Sequence, residues 1–404
     1  MDNMILFENK KDCCACGACL NICPKSAISM QEDEYGFVYP VIDHEKCVRC
    51  GLCKKVCSFT GSELPKTDPV VYAASLNNDD IIMKSASGGM FAALAADVLE
   101  HGGAVFGAEL KRENDRFIAE HTYIRDVSQL HRLQGSKYVQ SSTGLAYRQV
   151  RSFLEEGTKV LYSGTPCQID GLYGFLGKNY NNLITADIIC QGVPNLTLFN
   201  DYIRYYEKKL GGKITGYRFR DKKYGQGKTQ AFSVLKNGEE KTVRKLGDIV
   251  SYIYEFQKGN ICRENCYRCR YACRTRVSDI TIGDYWGVYN EHEEDVKRLK
   301  MSDKKGISCL ILNTQKGKEC FEAIKPKLKY FVSDIDKAAR YNGRLNYPTK
   351  RTNRRDAFME AYKNDGYEGF ERLYRKDNKM RLFYSLKRFI PVGLKHRLKK
   401  MKKK

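Results

Sequence analysis

From residue 70 onward, short apolar runs typical of buried strands alternate with stretches of helical periodicity. The predicted strands include VVYAASL, AVFGAEL, KVLYSG and LITADIIC, at residues 70–76, 104–110, 159–164 and 183–190. Helices are predicted between and after them, at residues 85–103, 145–157, 165–177 and 198–212. Such alternation is typical of an α/β domain whose sheet contains parallel strands.

The rest of the chain divides into parts of different character. β-Hairpins are predicted between residues 213 and 250, then the strand-like runs DITIGDYWG and SCLILNT and a helix at 316–328. The first 60 residues are rich in cysteine, and GSELPKTDP after them is typical of a linker. We therefore predict four parts: a cysteine-rich module at 1–60, a linker at 61–69, a main domain at 70–360 and a helical basic tail at 361–404.

The composition is that of a globular protein with excess positive charge. Of the 404 residues, 29% are charged and 42% hydrophobic, and the formal net charge is +22. This excess favours anionic partners. No apolar run approaches the ~18 residues of a membrane-spanning helix, and the N-terminus lacks a signal-peptide layout. We therefore expect a cytoplasmic protein.

The 17 cysteines occur in tight runs, unlike the dispersed cysteines of a secreted disulfide scaffold. One C-x2-C-x2-C-x3-C run is followed by Pro24, and a second run with the same spacing begins at Cys47. Bacterial ferredoxins with two 4Fe-4S clusters have this pattern, and the fourth cysteine of each run binds the other cluster. The predicted ligands are Cys13, Cys16, Cys19 and Cys57 for cluster one, and Cys47, Cys50, Cys53 and Cys23 for cluster two.

Zinc is the alternative metal for these runs, because C-x2-C pairs are common in zinc sites. Zinc sites use two separated pairs rather than two triple runs, so the spacing favours iron–sulfur clusters. Cys14 does not fit the register and is predicted to be a spare thiol. Ser58 stands where a second proline is usual, which removes no ligand. Because such clusters transfer single electrons, the module predicts electron transfer.

Five motifs of the main domain indicate a family by their order. They are SASGGMFAALA (85–95), GSKYVQS (135–141), YSGTPCQIDGL (162–172), ICQGVP (189–194) and SDITIGDYWG (278–287). With the cysteine-rich module they resemble the family of beta subunits of coenzyme F420 hydrogenases and dehydrogenases, over about residues 4–360. The resemblance implies an α/β domain of that family's type after an α+β ferredoxin-like module, and FAD beside a third 4Fe-4S cluster.

The same motifs contain the predicted flavin-binding residues. The 87–89 stretch opens a helix, whose free N–H groups and dipole attract phosphate, although a plain helix cap is the alternative. Lys137 is expected to pair with a phosphate and Tyr138 to stack on a ring, unless their motif is only a surface loop. The strand–turn–helix at YSGTPCQ lies where α/β folds bind ligands. The predicted set is Ser87, Gly88, Gly89, Gly135, Ser136, Lys137, Tyr138, Gly164 and Thr165.

Two ligand sets are open for the third cluster. The local run Cys262, Cys266, Cys269 and Cys273 has the spacing to close a site alone, for zinc or for a cluster. The resemblance implies the pair Cys266 and Cys269 with Cys167 and Cys190, and we favour this set. Cys167 also suits a nucleophile at a helix N-terminus, but no histidine lies near it in sequence. Cys309 and Cys320 are predicted to be core residues.

The predicted function is an exchange between one-electron and two-electron carriers. An iron–sulfur flavoprotein of this type passes electrons between clusters and a flavin that exchanges hydride with coenzyme F420 or another organic substrate. No catalytic residue is assigned. Asp284, Tyr285 and Trp286 are expected either to form a wall of the flavin pocket or to support the cluster loop. An electron-transfer adaptor without a substrate site is the alternative function.

The partners follow from charge and cofactors. We expect a redox partner protein or ferredoxin, and an anionic small-molecule or lipid-linked substrate. The segment from Lys379 to Lys404 lacks acidic residues and carries Leu382, Phe383, Leu386, Phe389 and Ile390 at helical spacing. Such a segment favours peripheral contact with the inner face of a membrane, with a solvated helix as the alternative. Nucleic acid is an unlikely partner, because no nucleic-acid motif accompanies the charge.

Overall fold

The computed structural model describes residues 5–60, 64, 68–227 and 229–376. Its strands are β1 (Ile28–Glu32), β2 (Val38–Ile42), β3 (Val70–Leu76), β4 (Ala104–Glu113), β5 (Arg116–Ile124), β6 (Val160–Gly164), β7 (Leu183–Ile188), β8 (Lys213–Asp221), β9 (Thr229–Lys236), β10 (Glu239–Leu246), β11 (Ile280–Asp284), β12 (Ser308–Leu312) and β13 (Leu328–Ser333).

The α-helices of the described residues range from one turn to about seven. They are α1 (Ala18–Ile22), α2 (Leu52–Lys55), α3 (Asp79–Lys84), α4 (Met90–Glu100), α5 (Leu130–Leu133), α6 (Ala146–Glu155), α7 (Pro166–Leu176), α8 (Leu196–Leu210), α9 (Ser251–Gln257), α10 (Val288–Glu291), α11 (Glu293–Arg298), α12 (Gln315–Ile324), α13 (Ile335–Tyr341) and α14 (Asn353–Lys376).

A mixed eight-stranded sheet organises the main domain. Its strand order is β13-β3-β12-β11-β7-β6-β4-β5. The inner strands β4, β6, β7 and β11 are parallel neighbours, whereas β3, β12, β13 and β5 pair antiparallel. The expected α/β sheet with parallel strands is confirmed, and antiparallel strands extend it on both sides. The hairpins predicted at 213–250 form a separate antiparallel sheet, β10-β9-β8.

Apolar side chains cover both faces of the large sheet. On one face α4 and α12 pack with Leu94 and Phe321 in a buried cluster. On the other face α6 and α7 pack through Tyr147 and Leu172. That second cluster also contains Ala18 of the cysteine-rich module, so the module is joined to the main domain by a shared core.

The module itself is a β1–β2 hairpin flanked by two short helices. Ile28 of β1 lies opposite Ile42 of β2 in antiparallel register. The helices α1 and α2 both begin after a left-handed glycine, Gly17 and Gly51, with φ of 82° and 74°. This α+β arrangement agrees with the expected ferredoxin-like module.

The long helix α14 completes an aromatic core beside α8 and the three-stranded sheet. Phe358, Tyr362, Tyr367 and Phe370 are buried there, and the helix is kinked at Gly366. The domain boundary predicted at residue 360 falls inside α14. The apolar positions of the predicted basic tail lie outside the described residues. Within the described part of the chain, no helix combines the length and apolarity needed to span a membrane.

Candidate redox site

The cysteines predicted to bind cluster one lie around the start of α1. The thiols of Cys13, Cys16 and Cys19 interact electrostatically with the thiol of Cys57 from the second run. Burial raises the pKa of Cys13 to about 11. The Ala15 N–H donates to Cys13 Sγ at 3.4 Å. The structure therefore brings together the four residues that the ferredoxin spacing assigns to one cluster.

The cysteines predicted to bind cluster two line a separate small cavity of the module. Cys23 from the first run faces Cys47, Cys50 and Cys53 from the second run across this cavity. The Ala27 N–H donates to Cys23 Sγ at 3.3 Å. Cys50 is exposed, so this site reaches the surface of the module.

A cavity of about 570 Å³ lies at the carboxyl ends of the parallel strands β6, β7 and β11. Ser163 and Gly164 end β6, Ile188 ends β7, and Gly283 lies near the end of β11; all four line the cavity. Open α/β sheets bind ligands at this edge, and the volume is within the range of cofactor cavities.

Most of the predicted flavin-binding residues line this cavity. They are Ser87, Gly89, Gly135, Ser136, Lys137, Tyr138, Gly164 and Thr165. Gly89, at a φ of 90°, directly precedes the eleven-residue helix α4. Gly88 does not line the cavity: its N–H donates to Ser308 Oγ at 2.9 Å, and an added Cβ would lie 2.4 Å from the Ala74 carbonyl oxygen. Gly88 is therefore a packing position rather than a phosphate contact.

The side chains of Lys137 and Tyr138 have structural partners. Lys137 Nζ donates to the Leu133 and Gln134 carbonyl oxygens, both at 2.8 Å. Its burial lowers the pKa of the ammonium group to about 7. The expected pairing of Lys137 with a phosphate is therefore not supported. The Tyr138 ring stacks on Phe256 with 4.7 Å between centroids, which leaves at most one ring face for a cofactor.

Positive charge in the cavity comes from three arginines that the sequence analysis did not single out. Arg220, Arg263 and Arg344 line the cavity, and among the described lining residues Asp284 is the one carboxylate. Arg220 forms a two-point ion pair with Asp284, at 2.7 and 3.2 Å. The cavity therefore favours anionic ligands.

Four cysteines from distant segments line one part of the same cavity. Cys167 lies in the first turn of α7, Cys190 follows β7, and Cys266 and Cys269 belong to the loop after α9. Cys190 interacts electrostatically with Cys167 and Cys269, Cys266 interacts with Cys190 and Cys269, and the buried thiol of Cys262 acts on both Cys190 and Cys266. The ligand set implied by the family resemblance is thus assembled around one space.

The two alternative ligands are placed differently. Cys262 is fully buried in the aromatic core and does not line the cavity. Cys273 Sγ donates to the Thr275 carbonyl oxygen at 3.1 Å and also lies off the cavity. Cys309 is buried in β12, and Cys320 packs against the core from α12, as expected of core residues.

The buried histidine of the cavity does not activate Cys167. His121 Nδ1 contacts Ser141 Oγ at 3.0 Å, and its Nε2 contacts the Ser163 carbonyl oxygen at 3.1 Å. Burial lowers the pKa of His121 to about 4, so the ring is neutral at pH 7. With both ring nitrogens engaged, the arrangement does not support a Cys–His nucleophile.

Three family models match the chain. One describes the C terminus of the coenzyme F420 hydrogenase/dehydrogenase beta subunit and matches residues 157–338, and its N-terminal counterpart matches residues 71–147. A 4Fe-4S dicluster domain matches residues 12–60. The chain belongs to the family of coenzyme F420 hydrogenase/dehydrogenase beta subunits. The family expected from the five motifs is confirmed, and so is the iron–sulfur interpretation of the module.

Individual relatives of this F420 hydrogenase/dehydrogenase family member are distant. One component of the F(420)H(2) dehydrogenase of Methanosarcina mazei is 22% identical over 372 residues, which cover 88% of this chain and 94% of the relative. A chain of the F420-reducing [NiFe] hydrogenase complex from Methanosarcina barkeri is similar with a TM-score of 0.44 and 14% identity, covering 74% of this chain and 93% of that one.

Cys14 connects the module of this family member to the cavity. Its buried thiol is within hydrogen-bonding reach of Cys16 in the module and Cys167 in the main domain. Donation by Cys14 lowers the pKa of both neighbours and raises its own. Sequence spacing identified Cys14 only as a spare thiol, because the contact with Cys167 spans two domains.

Arg263 occupies the same junction and is fully buried. Its Nε donates to Gln140 Oε1 at 3.0 Å, and its Nη1 donates to the Cys13 carbonyl oxygen at 3.2 Å. Its positive charge acts to lower the pKa of both Cys13 and Cys167. Arg263 lies between two cysteines in the run ICRENC, and this position was a sequence signal that could have identified it as a site residue.

The thiols are not arranged for a single metal ion. Among the residues that the structure describes, no group of three or more His, Cys, Asp or Glu side chains is placed to hold one ion. Zinc requires all its ligands around one ion, whereas the thiolates of a 4Fe-4S cluster bind different irons.

Proposed function

We propose that this protein is an iron–sulfur flavoprotein oxidoreductase that passes single electrons between its clusters and a flavin. In this proposal the flavin exchanges hydride with coenzyme F420 or another organic substrate. The supporting observation is that the predicted third-cluster cysteines and most predicted flavin residues line the same cavity. A cofactor in that cavity would lie beside the cluster without an intervening domain.

The cavity residues fit a flavin. Ser87 and Gly89 precede α4, whose N-terminal N–H groups favour phosphate. Gly135, Ser136, Tyr138, Gly164 and Thr165 complete the lining that we assign to this cofactor. A bound flavin supplies both one-electron and two-electron chemistry. The chain's own contribution is to orient this group, surround it with positive charge and place it next to Cys167.

The proposed route runs from cluster two through cluster one and a third 4Fe-4S cluster to the cavity. The exposure of Cys50 supports cluster two as the cluster nearest to a partner. Cys14 joins cluster one to Cys167. We assign the third cluster to Cys167, Cys190, Cys266 and Cys269, with residues 1–60 as the electron-entry module and 70–360 as the flavin domain.

The partner in this proposal is another redox protein. The relative from Methanosarcina mazei is named as one of the subunits of a dehydrogenase, which supports a role within an assembly of several chains. The basic character of the chain, with a net charge of +22, favours an acidic partner or a ferredoxin. The same charge suits a polyanionic hydride carrier.

Iron analysis of matched cysteine variants tests the third cluster. The substitution Cys266→Ser removes a cavity thiol, so we expect about four fewer irons per chain than in the wild type. The control Cys273→Ser changes a thiol of the same loop that lies off the cavity, and we expect full iron content. Because Cys266 belongs to both candidate ligand sets, the control variant decides between them: loss of iron in Cys273→Ser would favour the local ligand set instead.

A further inference from the structure

Trp286 lies at an exposed edge of the cavity rather than in the hydrophobic core. It follows β11, lines the cavity and is 48% exposed, and it is the only tryptophan of the chain. An indole with that exposure contributes little to the core. Exposed aromatic rings at a cavity bind planar ligands by stacking.

Arg220 stands beside this ring with a donor that has no acceptor. Its guanidinium carbon lies 5.9 Å from the Trp286 ring centroid. Both terminal nitrogens bind Asp284, and the Tyr138 hydroxyl interacts with the same guanidinium, but among the described residues Nε is buried without a hydrogen-bond partner. The side chain is only 6% exposed. A buried donor that lacks an acceptor is destabilising, so this position is suited to receive an acceptor from a ligand.

The surrounding contacts hold Arg220 in place through Asp284. Gln226 Nε2 donates to Asp284, and Asn342 Nδ2 donates to the Asp284 carbonyl oxygen at 3.1 Å. The backbone at Gly227, with a φ of 72°, passes behind both residues: a Cβ there would lie 3.7 Å from Arg220 Nη2 and 3.9 Å from Trp286 Cη2. Arg220 is therefore fixed through Asp284, and Trp286 borders the turn at Gly227.

We propose that Trp286 and Arg220 form the docking subsite for the organic hydride carrier. This inference rests on the proposed function, in which the rest of the cavity holds the flavin. The ligand class is a planar heteroaromatic ring with a carbonyl or anionic oxygen. The ring stacks on the Trp286 indole, and its oxygen accepts from Arg220 Nε. Trp286 and Arg220 thus determine which carrier binds at the exposed edge of the cavity, while the cysteine site occupies another part of the cavity.

The experiment measures carrier binding without electron transfer. Oxidised coenzyme F420 is titrated into the oxidised, full-length protein, with NADP⁺ as a second planar carrier, and binding is followed by anisotropy or calorimetry. Iron and flavin contents are recorded on the same samples. We expect one carrier to bind the wild type, Trp286→Ala to weaken its Kd at least about tenfold, and Trp286→Phe to retain most of the affinity.

Two further variants complete the test. Arg220→Lys keeps the charge but lacks Nε, so we expect weaker carrier binding with unchanged flavin content. Tyr224→Ala is the matched control, because Tyr224 is 59% exposed beside a basic residue but does not line the cavity; we expect wild-type binding.

The contradicting outcomes are distinct from failure of the proposed function. Wild-type carrier binding by Trp286→Ala would overturn the subsite, as would absence of carrier binding by a flavin-loaded wild type. A third outcome would also overturn the subsite: Trp286→Ala binds the carrier as the wild type does, but a partner protein no longer reduces the variant. That outcome would make Trp286 a contact for the partner protein. A wild type that lacks flavin would instead refute the proposed function.

Discussion

At the scale of single residues, Cys14 carries the link between the two parts of the chain. Its thiol reaches both Cys16 and Cys167, which we assign to different clusters. Hydrogen bonds to cluster sulfurs raise the reduction potential, because they stabilise the more negative reduced state. We therefore expect Cys14 to tune the two proposed clusters without binding either.

Substitution of Cys14 tests this role. We expect Cys14→Ala to keep the full iron content and to lower the potential of cluster one or the third cluster by about 60 mV, the equivalent of tenfold for a one-electron couple. Cys14→Ser retains a donor, so its shift is expected to be smaller. Potentiometric titration followed by EPR measures both, and loss of four irons in Cys14→Ala would show that Cys14 is a ligand instead.

At the scale of elements, helix α7 is the surface on which the module packs. An added Cβ at Gly171 would lie 2.7 Å from Cys16 Sγ, and one at Gly174 would lie 2.4 Å from the Val56 carbonyl oxygen. These two glycines allow the loops of both cysteine runs to approach the helix closely. Neither glycine has a positive φ, so backbone conformation does not require glycine here. What requires it is the close approach of the neighbouring chain.

This role reverses the usual effect of a glycine substitution in a helix. Alanine normally stabilises a helix interior by about 1 kcal/mol relative to glycine. We expect Gly174→Ala to lower the melting temperature instead, because it collides with backbone that cannot move aside easily, and Gly171→Ala to reduce iron content as well. A melting temperature equal to or above that of the wild type in both variants would contradict the observed packing.

The sequence predicted the elements whose apolar pattern is simple. Strands such as β6 and β7 are continuous apolar runs buried in the sheet, and they were placed within a few residues. Strand β5 was missed because its buried positions include His121 and alternate with more exposed ones such as Arg116 and Glu120. Strand β13 was missed because Lys329 and Tyr330 break its apolar pattern. Both strands form the edges of the sheet, where one-sided burial weakens the sequence signal.

The site was predictable to the extent that its signal was local. Cysteine spacing indicated two cluster sites because each run is a short loop. The arginines of the cavity were not found, because Arg220 and Arg344 approach it from segments with no shared motif. Lys137 was given a phosphate role from its motif, but only the fold shows that its ammonium group is bonded to carbonyl oxygens.

At the scale of the whole molecule, the chain has two cysteine sites in the module and a third in the wall of a cavity lined by positive side chains. The order follows from contacts: Cys50 is exposed, Cys14 joins the module to Cys167, and Cys167 lines the cavity with the predicted flavin residues. An electron-transfer adaptor would need the clusters but not the cavity. The cofactor content therefore separates the proposed enzyme from the adaptor.

The most direct measurement is the iron, sulfide and flavin content of anaerobically purified, full-length protein. Three 4Fe-4S clusters and one flavin predict about twelve irons, twelve sulfides and one FAD per chain. A value of about eight irons with no flavin would contradict the central claim, because it would leave only the ferredoxin-like module active.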